Sequence, residues 1–311
     1  MKKAYRNLLI AAAAIPVILL CVLGYWFLVP KPSPIPDLFL PLAGQAIPKV
    51  ELSIETEVDV PKKANLYRFE INYKGRYNQF DRAASALGIW ELDAVRDYVG
   101  NKDRLLGVTD DGRIKQITME DDTGFWTYTL SEEDSSLRKE APSNEEAERI
   151  ASRFLDENQL RPERFSATSF GGKSMGSSFE DQLEYSVTVF YYPTVDGYEV
   201  FGISRIAVEI DYNGEIEAVR SYYKDFVFDR VVDLAPPEQF YDVLLSGDTL
   251  CSIEPSAVSA KVTSIELAYW EDGGTIEDQP YLQPVWVYNG VAYDAAGVES
   301  EFLAIVPAVK R

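Results

Sequence analysis

Carboxylates dominate the side chains that this sequence could use for chemistry. Glu120-Asp121-Asp122 and Glu132-Glu133-Asp134 crowd them into short runs. Two carboxyl groups about 5–10 Å apart, one with its pKa raised by burial, can cleave a glycosidic bond. These runs therefore define an acidic-hydrolase reading. The competing reading is a solvated acidic face, because no apolar setting marks one carboxylate for burial. Asp110-Asp111-Gly112 suggests calcium, but the oxygen ligands of a roughly twelve-residue EF-type loop do not follow. Asp and Gly there fit turn chemistry. Gly171-Gly172-Lys173-Ser174-Met175-Gly176-Ser177-Ser178 lacks the glycine spacing of a phosphate loop and reads as a mobile loop. The chain has no histidine. That removes Ser-His-Asp and Cys-His nucleophiles and every His-ligated metal site. No catalytic residue, metal ligand or cofactor site is assigned.

Aromatic side chains offer a second chemistry. The chain has 19 Tyr and 5 Trp. Trp126, Tyr128, Tyr191, Tyr222, Tyr223 and Trp286 are the candidates for an interaction surface. As an exposed coplanar row they would suit carbohydrate or cell-wall polymer. Most occupy strand positions, where packing also explains them.

Position relative to a membrane comes from the first residues. Leu8 to Val29 contains no charged side chain. About 20 apolar residues span a bilayer core, so this run reads as a transmembrane helix. Leu8, Leu19, Leu20, Gly24 and Trp26 would be among its anchor residues. Lys2, Lys3 and Arg6 before it, against a lone Lys31 after it, place the N-terminus in the cytoplasm and the rest outside. A cleaved secretory signal is the alternative, but its apolar core is usually about 7–15 residues. Leu28-Val29-Pro30-Lys31 is also a poor cleavage context.

The whole chain carries 30 basic and 50 acidic residues, a net charge of −20. Three of the basic residues and none of the acidic ones precede residue 31. The exported part is thus more acidic still, which argues against nucleic acid and against docking on anionic lipid. Cys21 lies in the apolar run, leaving Cys251 without an intrachain partner outside. Cys251 reads as buried and inert, with intermolecular pairing as the alternative.

The elements that would position these residues follow from periodicity. After a Pro-rich stalk, strands are expected at Val50 to Val60 and Leu66 to Tyr73, then a helix near Asn78 to Leu87. Val108 and Ile114 should pair across Asp110-Asp111-Gly112, and Phe125 to Leu130 should continue the sheet. Ser143 to Glu157 is a helix with a Ser143/Glu146 capping box, a Glu145–Arg149 pair and a stripe of Ala147, Ile150, Ala151, Phe154 and Leu155. Glu184 to Tyr192 is a strand, Asp196-Gly197 turns it, and a long strand then runs to Tyr212. A three-residue loop, Tyr212-Asn213-Gly214, would pair Ile210 with Ile216 and Val208 with Ala218. Tyr288-Asn289-Gly290 offers the same turn. A third helix is expected at Pro236 to Leu245, then strands at Ala257 to Trp270 and Tyr281 to Tyr288.

Helix followed by antiparallel strands thus appears three times. The predicted fold class is α+β: an N-terminal transmembrane helix, then exported repeated units of a helix packed on an antiparallel sheet. The predicted organisation is residues 1–29 as N-terminus and membrane helix and 30–48 as stalk. An α+β unit follows at 49–140, then a second α+β region at 141–311 with sub-units 143–228 and 236–309.

Two stretches resemble a known family. Asp196-Gly197, Val200 and Gly202, followed by Val208, Ile210-Asp211, Gly214 and Ile216, resemble the strand pair of PepSY-like domains. Ser264 to Trp270 and Tyr281 to Tyr288 resemble the closing strands of YycI-type proteins. The resemblance covers roughly Ser143 to Val306. It implies a single-pass protein of the bacterial cell envelope, with protein partners such as a sensor kinase or a protease and no catalytic residues. The expected function is a membrane-anchored, extracytoplasmic, non-enzymatic binding or regulatory module. A cell-wall or carbohydrate binder and an acidic carboxylate hydrolase are the alternatives.

Overall fold

The computed structural model describes residues 34–38, 51–54, 60–131, 139–175, 183–240 and 250–310. In chain order the elements begin with β1 (Glu51–Ile54), β2 (Lys63–Phe69), α1 (Tyr73–Ala86), β3 (Val95–Val99) and β4 (Lys102–Val108). Next come β5 (Ile114–Glu120), β6 (Trp126–Leu130), α2 (Asn144–Glu157), β7 (Phe165–Met175) and β8 (Leu183–Val195). Then follow β9 (Tyr198–Gly202), β10 (Arg205–Asp211), β11 (Ile216–Tyr222) and β12 (Phe226–Asp233). The last are β13 (Leu250–Ser252), β14 (Ala257–Glu271), β15 (Tyr281–Asp294) and β16 (Glu299–Pro307). All of them belong to one compact unit, Leu38–Arg311.

Local signals set the helix ends. Asn72 accepts the Gly75 N–H at 3.0 Å and starts α1 at Tyr73, ahead of the predicted Asn78, because an Asn side chain can replace a missing backbone acceptor. Ser143 caps α2 by accepting the Glu146 N–H at 3.3 Å. The Glu146 carboxylate does not complete the box. It pairs with Arg149, with the guanidinium Nε at 2.9 Å, so the helix-surface pair is Glu146–Arg149 and not Glu145–Arg149.

The strands form one mixed sheet. An antiparallel block runs β3-β4-β5-β6-β11-β10-β8-β7. The β8–β9 hairpin joins it to a second block in which β12, β2, β15 and β14 are neighbours, and β1 and β9 run parallel to β14. Phe80, Ala83 and Ala84 of α1 and Ala147, Ala151 and Leu155 of α2 share a single core with Ile117, Tyr128, Val189, Val208 and Val219.

This overturns the predicted fold class of repeated helix-on-sheet units. Both helices lie on one face of the same block, and the second block is built of strands among the described residues. The reason is that α1 and α2 each bury only one apolar stripe, and two stripes on one sheet face close a single core. The expected third helix is a 3-10 turn at Pro237–Phe240, with Gln239 N–H on the Pro236 carbonyl at 3.1 Å. The rest of that predicted helix, residues 241–245, lies outside the described residues. So does the predicted transmembrane helix with Leu8, Leu19, Leu20, Gly24 and Trp26. No helix among the described residues is long and apolar enough to cross a membrane. Strand β2, from the sequence segment 49–140, pairs with β12 and β15.

Turn chemistry was the most legible feature. Val108 pairs with Ile114, and Ile210 with Ile216 across a loop whose Gly214 has φ +80°. Beyond that pair a bulge at Glu209/Ile210 shifts the register, so Val208 faces Val219 and not Ala218. The shift keeps two fully buried valines opposite each other in the core, which outweighs a regular ladder. The expected turn at Tyr288-Asn289-Gly290 is instead mid-strand in β15. A Cβ on Gly290 would meet the Lys261 carbonyl oxygen at 2.0 Å, so glycine is there for close strand approach. The actual turn lies at Ala295–Gly297, where Gly297 has φ +81° and Asp294 accepts the Ala296 and Val298 N–H groups.

Candidate functional site

The predicted interaction aromatics do not form a surface row. Trp126, Tyr128, Tyr191, Tyr223 and Trp286 are all buried. Tyr191 exchanges a hydroxyl contact with Ser152 at 2.9 Å, and the Trp286 Nε1–H donates to the Ala235 carbonyl at 2.9 Å. The Arg76 guanidinium sits 4.0 Å from the Tyr223 ring centre. Only Tyr222 is half-exposed, and its ring packs on Phe125 at 5.6 Å. Packing decided these positions because strand pairing turned their faces to the core.

The acidic run Glu120-Asp121-Asp122 is held by neighbours. Lys102 contacts Glu120 at 2.6 Å, the Tyr98 hydroxyl donates to Asp121 at 2.6 Å, and Asn101 donates to Asp122 at 2.9 Å. The run Glu132-Glu133-Asp134 lies outside the described residues. The expected mobile loop starting at Gly171 is strand through Met175, paired along β8; residues 176–178 lie outside the described set. No group of three or more metal-ligating side chains occurs among the described residues.

The Asp121 hydrogen bond pushes the Tyr98 hydroxyl up to about 12. A raised value means the folded chain holds that proton more tightly. Its contribution to stability is complete below the unfolded value near 10.0 and is lost as pH rises through about 12. Tyr98→Phe should therefore delete one late-ionising phenol from an ultraviolet titration. An unchanged titration would show that the contact does not form.

The partners in two charged clusters could not be read from the sequence, although Asp196-Gly197 marks the turn that carries the first. The first lies on the β8–β9 turn. Asp196, at φ +55°, accepts the hydroxyls of Tyr67 at 2.7 Å and Tyr269 at 3.1 Å and the Asn65 amide at 2.9 Å. The turn's carboxylate thereby ties the hairpin to β2 and β14. The second is buried where the chain crosses between the blocks. The Glu271 carboxylate accepts the Lys224 backbone N–H at 2.6 Å, and the Lys224 ammonium donates to the Asp272 carbonyl at 2.5 Å. Lys224 stands over the rings of Phe69 and Phe125, at 5.0 and 5.5 Å. Arg76 binds Asp225 at 3.0 Å and the Tyr223 carbonyl at 2.9 Å, and Arg164 reaches the Lys224 carbonyl at 3.4 Å.

Burial pushes the Glu271 carboxyl up, against the pull of Lys224 and Arg164. Burial likewise pushes Lys224 down, against Glu271 and Asp272. Perturbed groups often mark active sites. Here neither residue lines any of the described clefts, whose volumes are about 580–640 Å³. The arrangement holds the crossing chains together. An alternating apolar pattern could not have shown it, since Lys224 and Glu271 are far apart in sequence.

Six of the exposed large apolar side chains among the described residues lie on two edge strands. Val95, Tyr98 and Val99 are exposed on β3, and Val227, Phe228 and Val231 on β12. These two strands stand at opposite ends of the strand order.

No protein-family model matches the chain, and no curated protein matches it. Among solved structures it is similar to the Bacillus megaterium YpeB C-terminal domain. The identity is 12% and the TM-score 0.31, over 78% of this chain and 100% of that one. That domain comes from a PepSY-containing protein family. At this TM-score the likeness carries no argument about what the chain does.

Proposed function

We propose that the chain is a non-enzymatic binding or regulatory module that works outside the cytoplasmic membrane and contacts protein partners through its sheet edges. The observation that carries this reading is the gathering of exposed apolar side chains on β3 and β12. An open strand edge presents a row of N–H and C=O groups that a second chain can pair with, and side chains beside it give specificity. The location rests on the uncharged run Leu8 to Val29 with its three preceding cations, and on an acidic charge that disfavours nucleic acid and anionic lipid. A sensor kinase or a protease of the envelope is the partner class that the sequence resemblance suggests.

The test is crosslinking of the full chain in native membranes, followed by pull-down and identification. Recovery of a sensor kinase or protease supports the reading, and Phe228→Glu should reduce that recovery about tenfold or more. Recovery of wall fragments alone, unaffected by Phe228→Glu, would overturn it in favour of the carbohydrate binder.

A further inference from the structure

We propose that the free edge of β3 pairs antiparallel with β3 of a second copy of this chain, about a two-fold axis at Asp97. The inference rests on the strand-edge reading above and names the partner for one of the two edges. Among the described residues β3 is paired on one side only. It aligns with β4 residue by residue, from Val95 on Leu106 to Val99 on Lys102, without a bulge. Soluble proteins guard such edges with bulges, prolines or outward charges.

On β3 both charges are already held within the chain, Asp97 by β4 and Arg96 by β4 and by Asp81 and Phe80 of α1. Arg96 binds Asp103 through Nε at 3.0 Å and Nη2 at 2.5 Å. Asp97 accepts Arg104 Nε at 2.8 Å and Nη2 at 2.5 Å, and these bonds hold its carboxyl below the usual range. The apolar side chains left for a neighbour are Val95 and Val99, at 63% and 55% exposure, while Tyr98 is held by Asp121.

The sequence of this edge is self-complementary. A two-fold axis perpendicular to the sheet preserves its faces, and residues directly opposite in an antiparallel pair share a face. The axis therefore falls on a residue. Placed at Asp97, it sets Val95 against Val99 of the second copy and Arg96 against Tyr98. An apolar pair closes each end, and Arg96 and Tyr98 keep their own partners Asp103 and Asp121. The two Asp97 carboxylates meet at the axis, each neutralised by its own Arg104. An isologous contact requires this kind of symmetry in one patch.

Paired cysteines test the register in the full chain, in native membranes, with Cys21 and Cys251 replaced by Ser. Opposite positions lie about 5 Å apart at Cα, within disulfide reach. Val95 and its own copy would lie about 13 Å apart, beyond it. Val95→Cys with Val99→Cys should give a reducible covalent dimer on mild oxidation, and either single variant at most about a tenth as much. No dimer from the double variant, or equal dimer from a single one, overturns the proposal. Val99→Lys with the native cysteines should weaken self-association about tenfold in sedimentation, with the far-ultraviolet spectrum unchanged. Unchanged association would also overturn it. If the double variant stays monomeric while Phe228→Glu still blocks partner recovery, this inference fails and the strand-edge function stands.

Discussion

Lys224→Met should lower the unfolding free energy by about 3–5 kcal/mol, the usual cost of removing one partner from a buried charged arrangement. Lys224 is fully buried, and its ammonium supplies the hydrogen bond to the Asp272 carbonyl. Methionine keeps the volume and the contacts with Phe69 and Phe125. It leaves the Glu271 carboxylate without the Lys224 charge that opposes its desolvation and the Asp272 carbonyl without that donor. Glu271→Gln keeps an acceptor for the Lys224 N–H but strands the ammonium, and should cost a similar amount. The double variant should cost clearly less than the two singles added, because it removes both uncompensated charges. Urea unfolding of the three variants reads this directly. Additive losses, or single losses below about 1 kcal/mol, would show that the two residues do not act as one junction.

Trp286→Ala is expected to cost about 3–5 kcal/mol in the same measurement. The indole is fully buried, and its N–H is satisfied by the Ala235 carbonyl. Truncation leaves a cavity in β15 and an unpaired carbonyl at the turn after β12. A ligand-binding tryptophan would behave in the opposite way, with stability retained and wall-polymer binding lost. That outcome would reinstate the aromatic-platform reading.

The difference between these two predictions shows where the sequence stops being legible. Trp286 lies in an apolar strand, so the sequence marked it as aromatic and structural or aromatic and binding, and only burial could choose. Lys224 and Glu271 carried no mark at all. Each looks like an ordinary surface charge in its own segment, and the pair exists only because β14 ends beside the link from β11 to β12. Asp196 is intermediate. Asp-Gly announced its turn, but the capture of Tyr67 and Tyr269 needed β2 and β14 to arrive from distant segments.

By itself the sequence determined what short-range forces determine. Ser143 caps its helix, Gly112 and Gly214 set three-residue hairpins, and the apolar stripes of both helices face a core. These depend on neighbours within a few residues, where backbone sterics and local hydrogen bonds dominate. Only the tertiary structure decided that both helices share one sheet face, that β2 pairs with β12 and β15, and that β3 stands at the end of the strand order among the described residues. Strand partnership is a competition among all strands for apolar contact and backbone pairing. A helix-then-strand pattern records the order of the elements along the chain, while the core records which of them bury surface against one another.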